Sequence, residues 1–260
     1  MEPVVASIVF YAIVISFCEL CRRALDVLYG AGSRPPLSVK GFLNEAIGTL
    51  QAISCVYENQ LIAKNYGLIG FALTVFVLLN LHRLTNRGCI ASPPALLERA
   101  FLGHIRPSHA GAIFLAEICG AALAFRLANL VWRLGISMEQ VSHAESFQCI
   151  LAHKVPLLLV AAYEFMAVFT IRTVIGLASR RKPFWTPYVA AAAISIGIPT
   201  GFALVGPVAL NPVIAFGRLG GCAGITIMHH LATYWLAPIS GWVLAMIVER
   251  GLARRSKKVQ

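Results

Sequence analysis

This chain carries little charge. Only 13% of its 260 residues are charged, and 11 Asp and Glu face 22 Lys and Arg. So little polar surface cannot clothe a soluble domain of this length, whereas a 58% apolar share suits a bilayer. Several chemical signatures are missing as well. The chain has no Gly-x-Ser-x-Gly, no His-Glu-x-x-His and no glycine-rich phosphate loop, which removes the familiar hydrolase, zinc peptidase and nucleotide-binding sites and points to no enzyme and no cofactor. His229 and His230 are adjacent, point in different directions on a helix, and make no metal pair. No Asn-x-Ser/Thr acceptor occurs. No basic residue precedes the first apolar run and Arg22-Arg23 follow it directly, so that run reads as a retained anchor and not a cleaved leader. Seven cysteines, an odd number scattered in and beside apolar segments, spell no disulfide framework and read as buried thiols.

What is present is a series of apolar runs. Six are long enough to span, at roughly 3–21, 66–82, 107–133, 155–178, 185–205 and 229–249. A seventh, near 42–60, carries Glu45 and Glu58, and hydropathy alone leaves it open. The net charge of +11 does not form the stripe a nucleic-acid surface needs; basic residues gather at the ends of the runs. If the C-terminus is cytosolic and 42–60 also crosses, Arg22, Arg23, Arg34, Lys40, Arg83, Arg87, Arg99, Arg106, Arg180–Lys182 and the C-terminal cluster share one side. The other side receives Lys64, Arg133, Lys154 and Arg218. The asymmetry follows the positive-inside rule and places the N-terminus in a lumen.

The chain also repeats itself. Glu45 and Glu164 each lie in the first run of a three-run block, and each is followed at the same distance by a proline box, Ser92-Pro93-Pro94 and Asn211-Pro212-Val213. A proline just after a capping residue starts a helix, so each box opens a short helical stretch inside an apolar region. The next run in each block carries a glycine, Gly120 after Glu117 and Gly241 after Pro238, of the kind that lets helix backbones approach closely. Blocks of three crossings enter from opposite sides, so the pattern predicts an all-α inverted repeat of 3+3 spans whose two broken half-helices meet near the midplane. The expected parts are an extra membrane helix in 1–30, a first repeat in 40–135 with its half-helix at Ser92, a second in 155–250 with its half-helix at Asn211, and a basic cytosolic tail in 251–260.

Phe42-Leu43-Asn44-Glu45-Ala46-Ile47-Gly48-Thr49, Tyr163-Glu164-Phe165 and the Asn211-Pro212-Val213 box resemble the signatures of aquaporins. Cys222 downstream of Asn211, with Tyr234-Trp235-Leu236-Ala237-Pro238 and the extra N-terminal segment, is similar to the unorthodox superaquaporin branch, the eleven and twelve subfamily. The resemblance implies a homotetramer in membrane lipid, each subunit a passive pore for water and small neutral solutes such as glycerol or hydrogen peroxide. It implies that Asn211 offers amide donors to passing water, that Glu45 and Glu164 brace the broken loops, and that two opposed half-helix dipoles repel cations.

Three departures qualify that expectation. Ser92 replaces the family's first asparagine; serine can cap the half-helix, but its hydroxyl reaches less far than an amide, and Pro94 removes a further N–H. Ile214 stands where most aquaporins have the constriction's arginine, and family spacing puts its other members at Phe71 or Ala72, Pro199 or Thr200, and Val208. Arg218, one turn beyond Ile214, either supplies the missing charge or snorkels to the surface. Glu117 and Arg126, nine residues apart and less than a turn out of phase, either pair with each other or find partners on another helix. The chain either conducts or is a scaffold or regulator that keeps the architecture without conducting. Lys257 and Lys258 resemble a dilysine retrieval signal of the endoplasmic reticulum, the alternative being a polybasic tail on anionic lipid.

Overall fold

The computed structural model describes residues 2–32 and 38–259, with the backbone alone for 252–259. Arg34 and the side chains of Lys257 and Lys258 therefore lie outside the described residues. Helix α1 (Pro3–Tyr29) opens on Pro3, whose missing N–H would be unpaired in a first turn anyway, and stops at Gly30 with φ 81°. Helix α2 (Val39–Thr85) starts at Ser38, which accepts a hydrogen bond from Gly41 N at 3.1 Å. Its 47 residues would reach roughly 70 Å if straight, more than twice a hydrocarbon core of about 30 Å. Gly67, at φ 65°, breaks it. A side chain there would be strained, and glycine is not. The two arms fold back together: Gln51 Nε2 on the first bonds His82 Nδ1 and Thr85 Oγ1 on the second, both at 2.9 Å. The doubtful 42–60 run is thus one arm of a helical hairpin.

The remaining long helices are α4 (Pro107–Trp132), α6 (Leu157–Arg181), α7 (Thr186–Leu204) and α10 (Ala237–Val259), with short α3 (Pro93–Phe101), α5 (Met138–Ser146), α8 (Pro212–Leu219) and α9 (Ile227–Leu231) between them. A π-helical turn, Ala232–Leu236, joins α9 to α10 just before Pro238, whose ring could not sit in an unbroken ladder. Six helical stretches are long and apolar enough to cross a membrane, α2 counting as one. Among the described residues the sole extended pairing is an isolated bridge between Ile150 and Ala223. The molecule is an all-α bundle and an integral multi-pass membrane protein. Large apolar side chains such as Leu73, Val77, Leu130 and Leu158 stand exposed on its outer faces, where lipid and not water must cover them.

The interior is polar at chosen places, and each place ties helices together. Glu58, fully buried, accepts from Ser7 Oγ at 2.6 Å, Trp132 Nε1 at 2.6 Å and Gln140 Nε2 at 2.8 Å, joining α1, α2, α4 and α5. That set of donors is why a carboxylate in an apolar run does not eject the run from the bundle. Arg22 is buried on α1 and donates to Gln51 Oε1 at 2.7 Å and Asn86 Oδ1 at 3.2 Å, so the extra helix is docked on α2 through more than apolar contact. Gly120 of α4 lies against the carbonyl of Ala46, and Gly241 of α10 against the carbonyl of Phe165; a Cβ at either would overlap that oxygen. Ala46 and Phe165 each follow one of the paired glutamates, so the two close approaches fall at matching places in the two blocks.

Candidate functional site

The boxes are built alike. Ala91 and Leu210, the residues before Ser92 and Asn211, both have left-handed backbones, φ 46° and 54°, which side chains other than glycine adopt at a cost of about 1–3 kcal/mol. Each strained turn is held by a buried carboxylate. Glu45 Oε1 accepts from Ile90 N at 2.8 Å and Ala91 N at 2.9 Å. Glu164 accepts from Ala209 N at 2.7 Å on Oε1 and from Leu210 N at 2.8 Å on Oε2. These N–H groups would otherwise be orphans ahead of a helix buried among other helices.

The boxes also meet. Asn211 Oδ1 accepts from Val213 N at 3.1 Å, which caps α8, and Nδ2 donates to the carbonyl of Ala91 at 2.8 Å. One N–H of that amide is thereby used, and the second has no protein acceptor among the described residues. Ser92 behaves differently. Its hydroxyl makes no cap bond, where the sequence allows serine to cap; Pro94 removes the N–H that Val213 supplies in the other box, and the next N–H, of Ala95, is not taken up either. The Ser92 backbone N–H is instead held by Glu117 Oε1 at 2.8 Å.

Around this junction lies a cavity of about 460 Å³. Ser92 and Asn211 both line it, with the polar side chains of Asn59, His82, Asn86 and Arg218. The rest of the wall is largely aliphatic and aromatic and includes Phe71, Val75, Leu78, Val168 and Ile194. Of the expected constriction, Phe71, Val208 and Ile214 line the cavity. Ala72, Pro199 and Thr200 do not: Thr200 is exposed on the outer surface of α7 and Pro199 is buried in packing, while Ile194 and Ile198 face the cavity from that helix. Pro93, Pro94, Pro212 and Val213 are buried behind the two capping residues.

Two further expectations need correction. Glu117 does not pair with Arg126, which is exposed and donates to the carbonyl of Ala122 at 3.4 Å. Cys222 is not a free thiol: it forms a disulfide with Cys149, Cα to Cα 4.7 Å, that ties the chain leaving α8 to the loop before α6. Reading the cysteines by count missed it because five others remain free: Cys18, Cys21, Cys55, Cys89 and Cys119. Nothing in the sequence marks Glu117 as the acceptor of the Ser92 N–H: the matching place in the second block is Pro238, which carries no carboxylate.

No protein-family model matches the chain. Curated proteins do. It is 29% identical over 262 residues to a putative aquaporin-10 of Caenorhabditis elegans, covering 98% of this chain and 91% of that one. It is 24% identical over 255 residues to an aquaporin-11 of Milnesium tardigradum, covering 98% and 90%. A putative aquaporin-12B of Homo sapiens is 25% identical over 253 residues, 94% of this chain and 79% of the relative. The similarity, consistent over nearly the full length, together with the six apolar helical stretches, supports a channel-type membrane protein and not an enzyme.

Proposed function

We propose that the chain is a superaquaporin-like channel: a passive pore for water and small neutral solutes, built from two inverted blocks of three spans and an extra N-terminal helix. Both arms of α2 cross, giving seven crossings, and α3 and α8 enter as half-helices from opposite sides. The observation that carries this is the bond from Asn211 Nδ2 to the Ala91 carbonyl, made within a cavity that both boxes line. It leaves one amide N–H of Asn211 for a water oxygen, fixed in direction because Val213 holds the other end of the same amide. The half-helices add positive dipole ends at the same place. Aliphatic walls offer a passing water few other partners, so the file is handed across the centre by Asn211 almost alone, with Ser92 as an unfixed hydroxyl opposite.

The basic residues at span ends support a cytosolic C-terminus, and Lys257-Lys258 an address in the endoplasmic reticulum. A disulfide on the opposite, lumenal side fits that compartment. Four subunits, each with its own pore, follow from the family resemblance. Stopped-flow swelling of vesicles containing the purified protein, with water, glycerol and hydrogen peroxide in turn, tests the reading. Swelling no faster than in empty vesicles favours a non-conducting scaffold, for which the uncapped Ser92 box is the supporting observation.

A further inference from the structure

Helix α1 is tied to α2 by more than a membrane anchor requires. Its buried residues Ser7, Tyr11, Val14, Cys18, Arg22 and Leu25 recur every three or four positions and so share one face. Ser7, Tyr11 and Arg22 need hydrogen-bond partners in a bilayer. Ser7 spends its hydroxyl on Glu58, which does not line the cavity. Tyr11 and Arg22, about three turns apart, reach residues that do. Tyr11 OH donates to Asn59 Oδ1 at 2.7 Å, and Arg22 Nη2 donates to Asn86 Oδ1 at 3.2 Å. Arg22 Nη2 also donates to Gln51 Oε1 at 2.7 Å, behind His82 of the cavity wall.

A guanidinium only donates, so the Gln51 and Asn86 atoms that face it are the amide oxygens, and the amide nitrogens must donate elsewhere. Gln51 Nε2 gives its hydrogens to Thr85 Oγ1 and His82 Nδ1, both at 2.9 Å, which leaves Nε2 as the donor of the His82 ring. The Nδ2 groups of Asn59 and Asn86 and the Nε2 of His82 have no acceptor among the described residues, and none of them is sealed off from open space. All three side chains line the cavity, and no residue of α1 does.

We infer that Tyr11 and Arg22 of the extra helix are positioning residues of the pore, a role that rests on the channel reading above: through Asn59, Asn86 and, by way of Gln51, His82, they hold three wall N–H groups toward the oxygens of permeants. An amide released at its oxygen can turn either end to the cavity and no longer presents a fixed donor. Water then loses a partner of set direction. Glycerol, whose hydroxyls donate as well as accept, gains an acceptor. Docking of α1 alone does not call for these contacts, since the bond from Ser7 to Glu58 ties the helix without touching the wall.

Tyr11→Phe removes one hydroxyl and keeps the ring. Wild type, Tyr11→Phe, Asn59→Ala and the double variant are each placed in phosphatidylcholine vesicles, and stopped-flow swelling gives the ratio of glycerol to water permeability, which does not depend on how much protein is inserted. Tyr11→Phe is expected to raise that ratio about threefold in the wild-type background and to leave it unchanged in Asn59→Ala, because the hydroxyl acts through that amide. Arg22→Met with Asn86→Ala forms a second cycle, in which the two effects are expected to fall short of multiplying by about twofold. Wild-type swelling with an unchanged ratio in Tyr11→Phe, or with the same rise in the presence and absence of Asn59, overturns the inference and leaves α1 an anchor. Effects that multiply in full in the second cycle overturn the role of Arg22. Absence of wild-type swelling overturns the channel reading and this inference with it.

Discussion

Asn211 holds Val213 through a 3.1 Å hydrogen bond from the Val213 N–H to its side-chain oxygen, and Ser92 has no counterpart to this bond because Pro94 carries no N–H. An amide is useful at a pore centre only when its oxygen is fixed, since that fixes where the two N–H groups point. The first box is therefore unable to hold an asparagine in the manner of the second, whatever residue stands at 92.

Ser92→Asn alone is expected to leave the ratio of proton current to water flux within about twofold of wild type. Ser92→Asn with Pro94→Val restores both the amide and the N–H that orients it. One added hydrogen bond is worth about 1 kcal/mol, so that ratio is expected to fall about fivefold in the double variant. Paired swelling and proton-current measurements on vesicles decide it; an equal effect of the single variant would contradict this origin of the asymmetry.

The two braces differ in a way that substitution exposes. Glu45 serves both backbone N–H groups with a single oxygen, whereas Glu164 uses one oxygen for each. Glutamine keeps one acceptor oxygen and turns the other into a donor. Glu45→Gln is expected to cost under about 1.5 kcal/mol, while Glu164→Gln faces a donor with a donor and costs about 3 kcal/mol. Midpoints of heat-induced unfolding in detergent should fall clearly for Glu164→Gln and little for Glu45→Gln.

Gly120→Ala and Gly241→Ala are each expected to destabilise by about 1–3 kcal/mol, because the new methyl meets a backbone carbonyl that cannot swing aside. Gly111→Ala, also in α4, meets nothing within 4 Å and is expected to be neutral or to stabilise by up to about 1 kcal/mol. The same unfolding assay compares the three.

The Cys149–Cys222 bridge spans 73 positions, and closing a loop of that size stabilises by about 4 kcal/mol in the chain-entropy account. Reduction, or Cys222→Ser, is expected to lower the unfolding midpoint by several degrees. Cys119→Ser, which removes an exposed free thiol, is expected to leave it unchanged.

The parts of this fold that are legible in the sequence are those with a local chemical signature. A proline after a capping residue marks Ser92 and Asn211 wherever they lie. Glutamates in apolar runs mark Glu45 and Glu164, because a carboxylate there must find donors. What the sequence hides is partnership over distance. Nothing near Glu58 announces that Ser7, Trp132 and Gln140 converge on it, so the 42–60 run reads as doubtful although it is among the best-tied helices. Nothing near Cys222 announces Cys149, and nothing at Ser92 announces Glu117. The side of α7 that faces the cavity is likewise hidden: with apolar residues nearly all round, the helix leaves no periodic trace that Ile194 and Ile198 line it.

The central claim is that Asn211, held by Val213 and Ala91, presents its remaining N–H to water in a conducting path. Its most direct test is osmotic water permeability of vesicles carrying wild type or Asn211→Asp, which keeps the capping oxygen but has no amide donor. The expected result is clear permeability in wild type and a loss of about fivefold or more in Asn211→Asp at equal protein content. Equal permeability in the two, or none above empty vesicles in wild type, would contradict it.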